Sequence, residues 1–317
     1  MNTVINNFKS VWAVVLLLVL APFALATDTP AQGEHLSFAT PEEAVDALIT
    51  ALETDNKSRL ASLLGPGTED ILSSGDTQQD SADRAAFLAG VKSKHSLAGE
   101  GDERTLLVGD KDWPFPIPVM RFEDRWYLDG DEGADEMVYR RIGRNELGAI
   151  AVCRGFVDAQ FDYAAEGHDG DDAGIYALKL ISDEGLHNGL YWPTVEGEEL
   201  SPAGEFVANA SAEGYRQGEE KVPYHGYFYR MLYHQGVDAS GGVSDYFKDG
   251  LLTNGFALIA WPADYGVSGV MTFMVNQDGV VYQKDLGDDT QAQADAINVF
   301  NPDNSWSALA DDDSEAQ

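Results

Sequence analysis

One long helical pattern lies in the middle of the chain, and strand patterns lie on both sides of it. The pattern predicts a helix that begins near Asp135 or Asn145 and ends near Ala165. Because helices and strands occupy separate stretches instead of alternating, the sequence predicts an α+β protein. The apolar residues that share one face at helical spacing are Ala149, Ile150, Cys153, Val157, Phe161 and Ala164.

The region before this helix begins with further helices. Thr40 and Glu43 have the spacing of a capping box, which predicts the start of the first helix. Asp55 is the predicted cap of a second helix, and residues 73–83 are polar and predict a loop before a third. The apolar positions of these helices are Ala44, Val45, Leu48, Ile49, Leu52, Leu60, Leu63, Leu64, Phe87, Leu88 and Val91.

Antiparallel strands follow these helices. Residues 105–108, 117–122 and 125–128 have strand patterns, and the last two are joined by the turn residues Glu123 and Asp124. Helices followed by a curved antiparallel sheet resemble, by analogy of element order, a nuclear-transport-factor-2-like unit.

The region after the long helix is predicted to be mainly antiparallel sheet. Residues 224–233 alternate in polarity, and residues 255–261 form a nearly continuous apolar strand. Residues 269–275 and 280–284 flank an Asp-Gly turn, which is the signal of a hairpin. A long helix packed on such a sheet is similar to the globular head of pseudopilins, although here the helix lies in mid-chain.

The stretch 129–135 is acidic, contains glycine and is the predicted boundary between two domains. The N-terminal α+β domain is then expected over residues 38–130, and the helix-plus-sheet domain over residues 131–309. Residues 27–37 and the acidic tail, residues 310–317, are expected to be disordered.

The N-terminus has the pattern of a secretory signal peptide over residues 1–26. Lys9 precedes an apolar run at residues 11–20, and the segment ends at Ala24, Leu25 and Ala26. The run is too short to cross a bilayer, so we expect no stable membrane insertion after cleavage. The protein is therefore predicted to be exported. The periplasm is the favoured location, and the extracellular space is the alternative.

The net charge of −34 excludes several classes of partner. Nucleic acid and anionic lipid both require clustered Lys and Arg, and we expect neither to bind. Two explanations of the acidity stay open, a solvated surface suited to saline surroundings or cation binding. The single cysteine, Cys153, forms no internal disulfide, and its place on an apolar helix face favours a structural role.

Local motifs for catalysis or metal binding are weak. Ser268 lies in a glycine-rich loop without the spacing of a nucleophile elbow. The acidic run at residues 168–172 favours a solvated turn over a cation site. His225 and His234 are expected on opposite faces of a strand. The sequence therefore predicts no catalytic residue, no metal site and no cofactor.

Aromatic side chains with polar ends are concentrated in the C-terminal region. Such residues are favoured where a surface binds a glycan, a peptide or a partner protein. The alternative is a sheet core sealed by aromatic cross-strand pairs. The predicted ligand-binding residues are Trp192, Tyr224, His225, Tyr227, Trp261 and Tyr265.

Four segments of this region carry a resemblance to a known family. They are residues 189–193 (Gly-Leu-Tyr-Trp-Pro), 223–227 (Pro-Tyr-His-Gly-Tyr), 255–287 and 300–306 (Phe-Asn-Pro-Asp-Asn-Ser-Trp). As a set they resemble a bacterial family of exported proteins known as a domain of unknown function, the 2950 family. The resemblance implies export and a bacterial source, and it implies no reaction or catalytic residue.

Two classes of function follow. The sequence favours a non-enzymatic envelope protein that binds a partner protein or glycan through its aromatic-rich C-terminal sheet. The alternative is a hydrolase-type enzyme whose dispersed site combines His225, an acid such as Asp264 and a hydroxyl group.

Overall fold

The computed structural model describes residues 35–193, 200–204 and 223–310. Helices and antiparallel sheets occupy separate parts of the chain, which confirms the α+β prediction. The predicted signal peptide lies outside the described residues, as does the acidic tail after Ala310. Residues 35–37, which were expected to be disordered, are placed: the Leu36 amide donates to the Ser62 carbonyl at 2.9 Å.

Four helices open the N-terminal part. The capping box is confirmed, since Thr40 accepts from the Glu43 amide and Glu43 accepts from the Ala39 amide. The cap of the second helix is Asn56, not Asp55, because the Asn56 side chain accepts from the Arg59 amide. The four helices are α1 (Pro41–Glu53), α2 (Lys57–Leu64), α3 (Glu69–Leu72) and α4 (Thr77–Ser93).

Helix α4 begins earlier than its apolar pattern indicates. The predicted loop at residues 73–83 ends at Asp76, whose carboxylate caps the helix by accepting from the Gln79 amide at 3.0 Å. The first two turns are polar because Asp80 and Asp83 bond to groups of the fold instead of packing in an apolar core. The polar residues 77–83 therefore form part of a helix, and the prediction of a loop there was wrong.

A five-stranded antiparallel sheet packs beside these helices. Strands β1, β2, β4 and β5 lie in that order, with β3 beside β2. Both predicted strands of the last hairpin are confirmed, and Glu123 has the positive φ of its turn. The strands are β1 (His95–Ala98), β2 (Glu103–Val108), β3 (Trp113–Pro114), β4 (Val119–Phe122) and β5 (Arg125–Leu128).

The central helix α5 spans Gly130–Ala165, 36 residues, and it serves both parts of the protein. It starts before the predicted Asp135, because Asp129 caps it and acidic residues suit the positive end of a helix. The stretch 129–135 is thus the cap and the first turns of a helix, and the position of a domain boundary there stays a prediction. The N-terminal half of α5 adds Met137 to the first core, and its later half adds Cys153 to the second.

The C-terminal part is built on a second five-stranded antiparallel sheet. Its strand order is β16-β15-β14-β13-β8, and every residue of β13 is buried. Gly279 (φ 78°) forms the predicted hairpin turn between β14 and β15. The strands of this sheet are β8 (Tyr227–Leu232), β13 (Ala257–Pro262), β14 (Met271–Asn276), β15 (Tyr282–Asp285) and β16 (Ser307–Ala308).

Short strand pairs and a further helix also belong to the C-terminal part. Strands β6 and β7 pair in parallel, while β9 pairs with β10 and β11 with β12 in antiparallel fashion. The elements are β6 (Lys179–Ile181), β7 (Gly189–Tyr191), β9 (His234–Gln235), β10 (Ser244–Asp245), β11 (Phe247–Lys248), β12 (Leu251–Leu252) and α6 (Thr290–Ala296).

Candidate functional site

Three of the six predicted ligand-binding residues lie in the C-terminal core. Trp192, Tyr227 and Trp261 are each at most 3% exposed. The Tyr227 hydroxyl donates to the Met271 carbonyl at 2.9 Å, and the Trp261 indole donates to Gln291 at 2.9 Å. Tyr227 and Trp261 thus have their polar ends bonded inside the fold, and burial gives all three side chains a packing role.

The other three residues are half-buried. The rings of Tyr224 and His225 lie 4.1 Å apart, whereas the Tyr265 hydroxyl donates to the carboxylate of Asp285 at 3.0 Å. His225 adopts a positive φ of 50°, which is uncommon for a residue with a side chain. Ligand binding at the aromatic residues stays a prediction, and these three are the members that solvent reaches.

Hydrogen bonds around His225 join the two parts of the protein. The Asp76 carboxylate, at the start of α4, accepts from the Gly226 amide at 3.2 Å. Ser268 donates to the Gly226 carbonyl at 2.9 Å, and Asn145 of α5 donates to the Ser268 carbonyl at 2.9 Å. We call these four residues the junction. Ser268 is fully buried in it, so its hydroxyl holds the loop in place and is closed to a substrate.

An acidic group of the proposed alternative site lies beside the junction. Partial burial raises the pKa of Asp264, the nearby Asp70 raises it further, and Arg141 lowers it. The Asp264 amide donates to the Ser268 hydroxyl at 2.9 Å, and Ser268 in turn bonds to Gly226. Asp264 therefore lies in the same region as His225, as a dispersed hydrolase site would need. The hydroxyl that should complete such a site is not supplied by Ser268.

An opening lies in the N-terminal part, between the four helices, the first sheet and α5. It has a volume of about 450 Å³, within the range of small-molecule sites in proteins. We call it the N-terminal pocket. Trp113, which is 41% exposed, and the exposed Ala86 lie among its lining residues. Its apolar walls include Leu48, Leu52, Leu60, Leu64, Ile71, Leu72, Phe87, Val108, Phe115, Ile117 and Met137.

Charged side chains line one side of this pocket. Helix α4 contributes Asp80, Asp83 and Arg84. These positions follow the helical repeat, so they share one face of α4. Helix α5 contributes three more arginines at the same kind of spacing, which are Arg140, Arg141 and Arg144.

Arg141 is the most buried of these cations. It is 9% exposed, and its two Nη atoms donate to the carbonyls of Asp70 and Ile71 at 2.5 and 2.9 Å. Burial lowers the pKa of its guanidinium group, while Asp80 and Asp83 act in the opposite direction. The side chain thus ties α5 to the end of α3 and places a positive charge at the pocket.

The sequence pattern did not reveal this group. Arg84 is distant in the chain from Arg140, Arg141 and Arg144, so only the fold brings the four together. Three arginines within residues 140–144 of an otherwise acidic chain are the local signal. The net charge of −34 over the whole chain masks this local signal.

The remaining candidates for a site are the thiol of Cys153 and clusters of metal-ligating side chains. Cys153 is fully buried, and burial raises the pKa of its thiol to about 12. Across residues 35–193, 200–204 and 223–310, no group of three His, Cys, Asp or Glu side chains could hold a metal ion. None of the helices in those ranges is both long and apolar enough to cross a membrane.

The fold and the pocket define a two-part α+β protein with a ligand-sized opening in its N-terminal part. A family model described as "Protein of unknown function (DUF2950)" matches residues 35–309, and the chain belongs to this family. The resemblance found in the C-terminal segments is thereby confirmed. No curated protein and no solved structure matches the chain, so the likeness to nuclear-transport-factor-2-like units and pseudopilin heads stays a prediction.

Proposed function

We propose that this is a non-enzymatic binding protein of the cell envelope, and that it holds a small, largely apolar ligand in the N-terminal pocket. The observation that carries the proposal is the pocket itself, about 450 Å³ with leucine, isoleucine and aromatic walls. Binding of an apolar ligand to such a surface is favourable, because it removes apolar surface from water. The signal-peptide pattern at residues 1–26 supports export and hence the envelope location.

The aromatic C-terminal surface is the second candidate for binding an envelope protein or glycan. It has weaker support, because Trp192, Tyr227 and Trp261 are enclosed in the core. Tyr224 and His225 remain as its centre. The hydrolase alternative has the least support, because the buried Ser268 hydroxyl donates to a backbone carbonyl.

Binding of an uncharged fluorescent probe tests the pocket. 1-Aminoanthracene brightens in an apolar environment, so a titration of the full chain should show saturable binding. Ala86→Phe places a ring at a lining position and should weaken binding at least about tenfold, or about 1.4 kcal/mol. Ala85→Phe is the matched control, because it makes the same change at the next position of α4, outside the lining.

Two results would contradict the proposal. One is the absence of saturable binding by the unmodified protein. The other is an equal loss in the Ala86→Phe and Ala85→Phe variants, which would show that the probe responds to the helix surface or to folding. Circular dichroism of both variants separates a blocked pocket from an unfolded chain.

A further inference from the structure

Polar and apolar groups are separated within the N-terminal pocket. The charged lining residues all come from α4 and α5, whereas α1, α2, α3 and the sheet contribute apolar side chains. A ligand that fills the pocket therefore meets charge along one side and hydrocarbon along the others. This arrangement fits a molecule that is itself divided into a charged end and an apolar body.

The sign of the charge is positive. Four arginines face two aspartates in the lining, an excess of two positive charges. The whole chain has a net charge of −34 and only 20 Lys and Arg residues, so a fifth of its cations line this one opening. Cations in a partly buried setting are costly unless they are paired.

Both aspartates of the lining already have partners. Asp80 is 9% exposed and accepts from the amide and hydroxyl of Ser74 at 3.0 and 2.7 Å. Asp83 forms an ion pair with Arg144 at 2.6 Å. Arg144 thus has an ion-pair partner within the lining. In the part of the chain that the structure describes, Arg84, Arg140 and Arg141 form no ion pair with either lining aspartate.

The partners of these three leave donors for a ligand. Arg84 lies 3.6 Å from Asp55, which is 70% exposed and outside the lining, so solvent weakens the pair. Arg140 pairs with Glu136 and lies over the Trp113 ring. Arg141 donates to two carbonyls and forms no ion pair among the described residues. Each guanidinium has five N–H donors, more than these contacts use.

We propose that the ligand of the N-terminal pocket is an amphipathic anion, with an oxyanion head at the arginines and an unbranched or aromatic hydrocarbon body against the apolar walls. The inference rests on the proposed function, since it names the chemistry of that site. The planar guanidinium fork matches an oxyanion by paired hydrogen bonds, and a neutral head would leave the arginines without this gain. The volume of about 450 Å³ suits a single short chain.

Competition between two probes of equal length tests the head group. Dodecanoate and dodecanol, each below its aggregation concentration, compete with bound 1-aminoanthracene on the full chain. We expect dodecanoate to bind about tenfold more tightly than dodecanol, the scale of one charge-assisted contact. Raising the salt concentration should reduce that preference, because ions screen the arginines.

Arg84→Gln should reduce the preference for dodecanoate to about threefold or less. Arg84→Lys keeps the charge without the fork and should restore part of the preference. Arg121→Gln is the matched control, because Arg121 also has surface ion pairs, with Asp102 and Asp124, but lies outside the pocket. It should leave the preference unchanged.

The outcomes separate this inference from the proposed function. If both probes displace 1-aminoanthracene equally well, the pocket binds apolar ligands and the anionic head is refuted. Equal losses in Arg84→Gln and Arg121→Gln would also refute it, since the effect would then be one of total charge. If 1-aminoanthracene does not bind at all, the proposed function itself fails. If it binds and neither probe displaces it, the amphipathic ligand is wrong.

Discussion

Individual side chains in this protein often serve one part of the fold while contacting the other. Asp76 caps α4 and also accepts from the Gly226 amide across the junction. Asn145 belongs to α5 and donates to the Ser268 carbonyl. A cap can be predicted from local sequence, but the second partner of Asp76 cannot, because it lies far along the chain. A single side chain can therefore stabilise both parts of the fold, although its local pattern indicates a contact with only one of them.

Cys153 provides a test at the scale of one residue. Its sulfur is fully buried, and its pKa is raised to about 12 because burial disfavours the thiolate. The reactive thiolate should therefore stay scarce from neutral pH up to about pH 10, and a thiol reagent should label the native protein only as fast as it unfolds. Labelling kinetics over this pH range, with the denatured protein as control, measure this directly.

Replacing the sulfur of Cys153 tests its structural role through the free energy of unfolding. Cys153→Ala should cost about 1 kcal/mol through lost packing and leave probe binding in the N-terminal pocket unchanged. Chemical denaturation gives the first quantity, and 1-aminoanthracene titration gives the second. Rapid labelling of native protein, or loss of probe binding in a folded variant, would contradict a purely structural role.

At the scale of elements, two glycines of α5 have opposite surroundings. A Cβ atom added at Gly133 would lie 2.7 Å from the Cα atom of Ile117, closer than real contacts allow, so α5 would have to move away from the segment between β3 and β4. Gly143 is exposed, and an added Cβ would meet nothing within 4 Å. The same substitution should therefore act in opposite directions at the two positions.

Gly143→Ala should raise the free energy of unfolding by about 1 kcal/mol, because alanine loses less backbone freedom in a helix than glycine does. Gly133→Ala should lower it by about 2 kcal/mol, in spite of the same helical gain, because of the clash with backbone atoms. Urea denaturation of both variants measures the two values. Stabilisation by both substitutions would show that α5 is not packed closely against Ile117.

The elements with strong local signals were predictable from sequence. The capping box at Thr40, the hairpin turn at Gly279 and the apolar strand β13 all use signals within a few residues. The pairs β9–β10 and β11–β12 have two residues in each strand, too few for any periodicity, and their partners in the fold define them. The pocket is of this second kind, since its arginines converge only when α4 lies beside α5.

The predicted aromatic site shows the limit of composition as a guide. Tyr227 and Trp261 lie on strands of the C-terminal sheet, yet the sequence could not tell which face of each strand is covered. Helix α5 and the chain around α6 cover much of it, so that Tyr227 and Trp261 became core residues with bonded polar ends. His225, by contrast, stays half-buried at the edge of the junction.

At the scale of the whole molecule, α5 is the element that joins two hydrophobic cores. The first core includes Met137 and the second includes Ala149, so the helix passes from one to the other without a break. The junction bonds beside it, together with the Glu146 carboxylate that accepts from the Val270 and Met271 amides, hold the two parts together. We therefore expect both cores to unfold in a single cooperative step, which differential scanning calorimetry would record as one transition.

Breaking α5 between the cores should separate them. Gly143→Pro removes a helix hydrogen bond at an exposed position and costs about 3 kcal/mol, so the two parts should lose their common helix while each keeps its own core. The calorimetric trace should then split into two transitions, whereas Gly143→Ala, which changes the same residue without breaking the helix, should keep one. Two transitions in the unmodified protein would instead mean that the parts are independent, and that α5 connects them without coupling their stability.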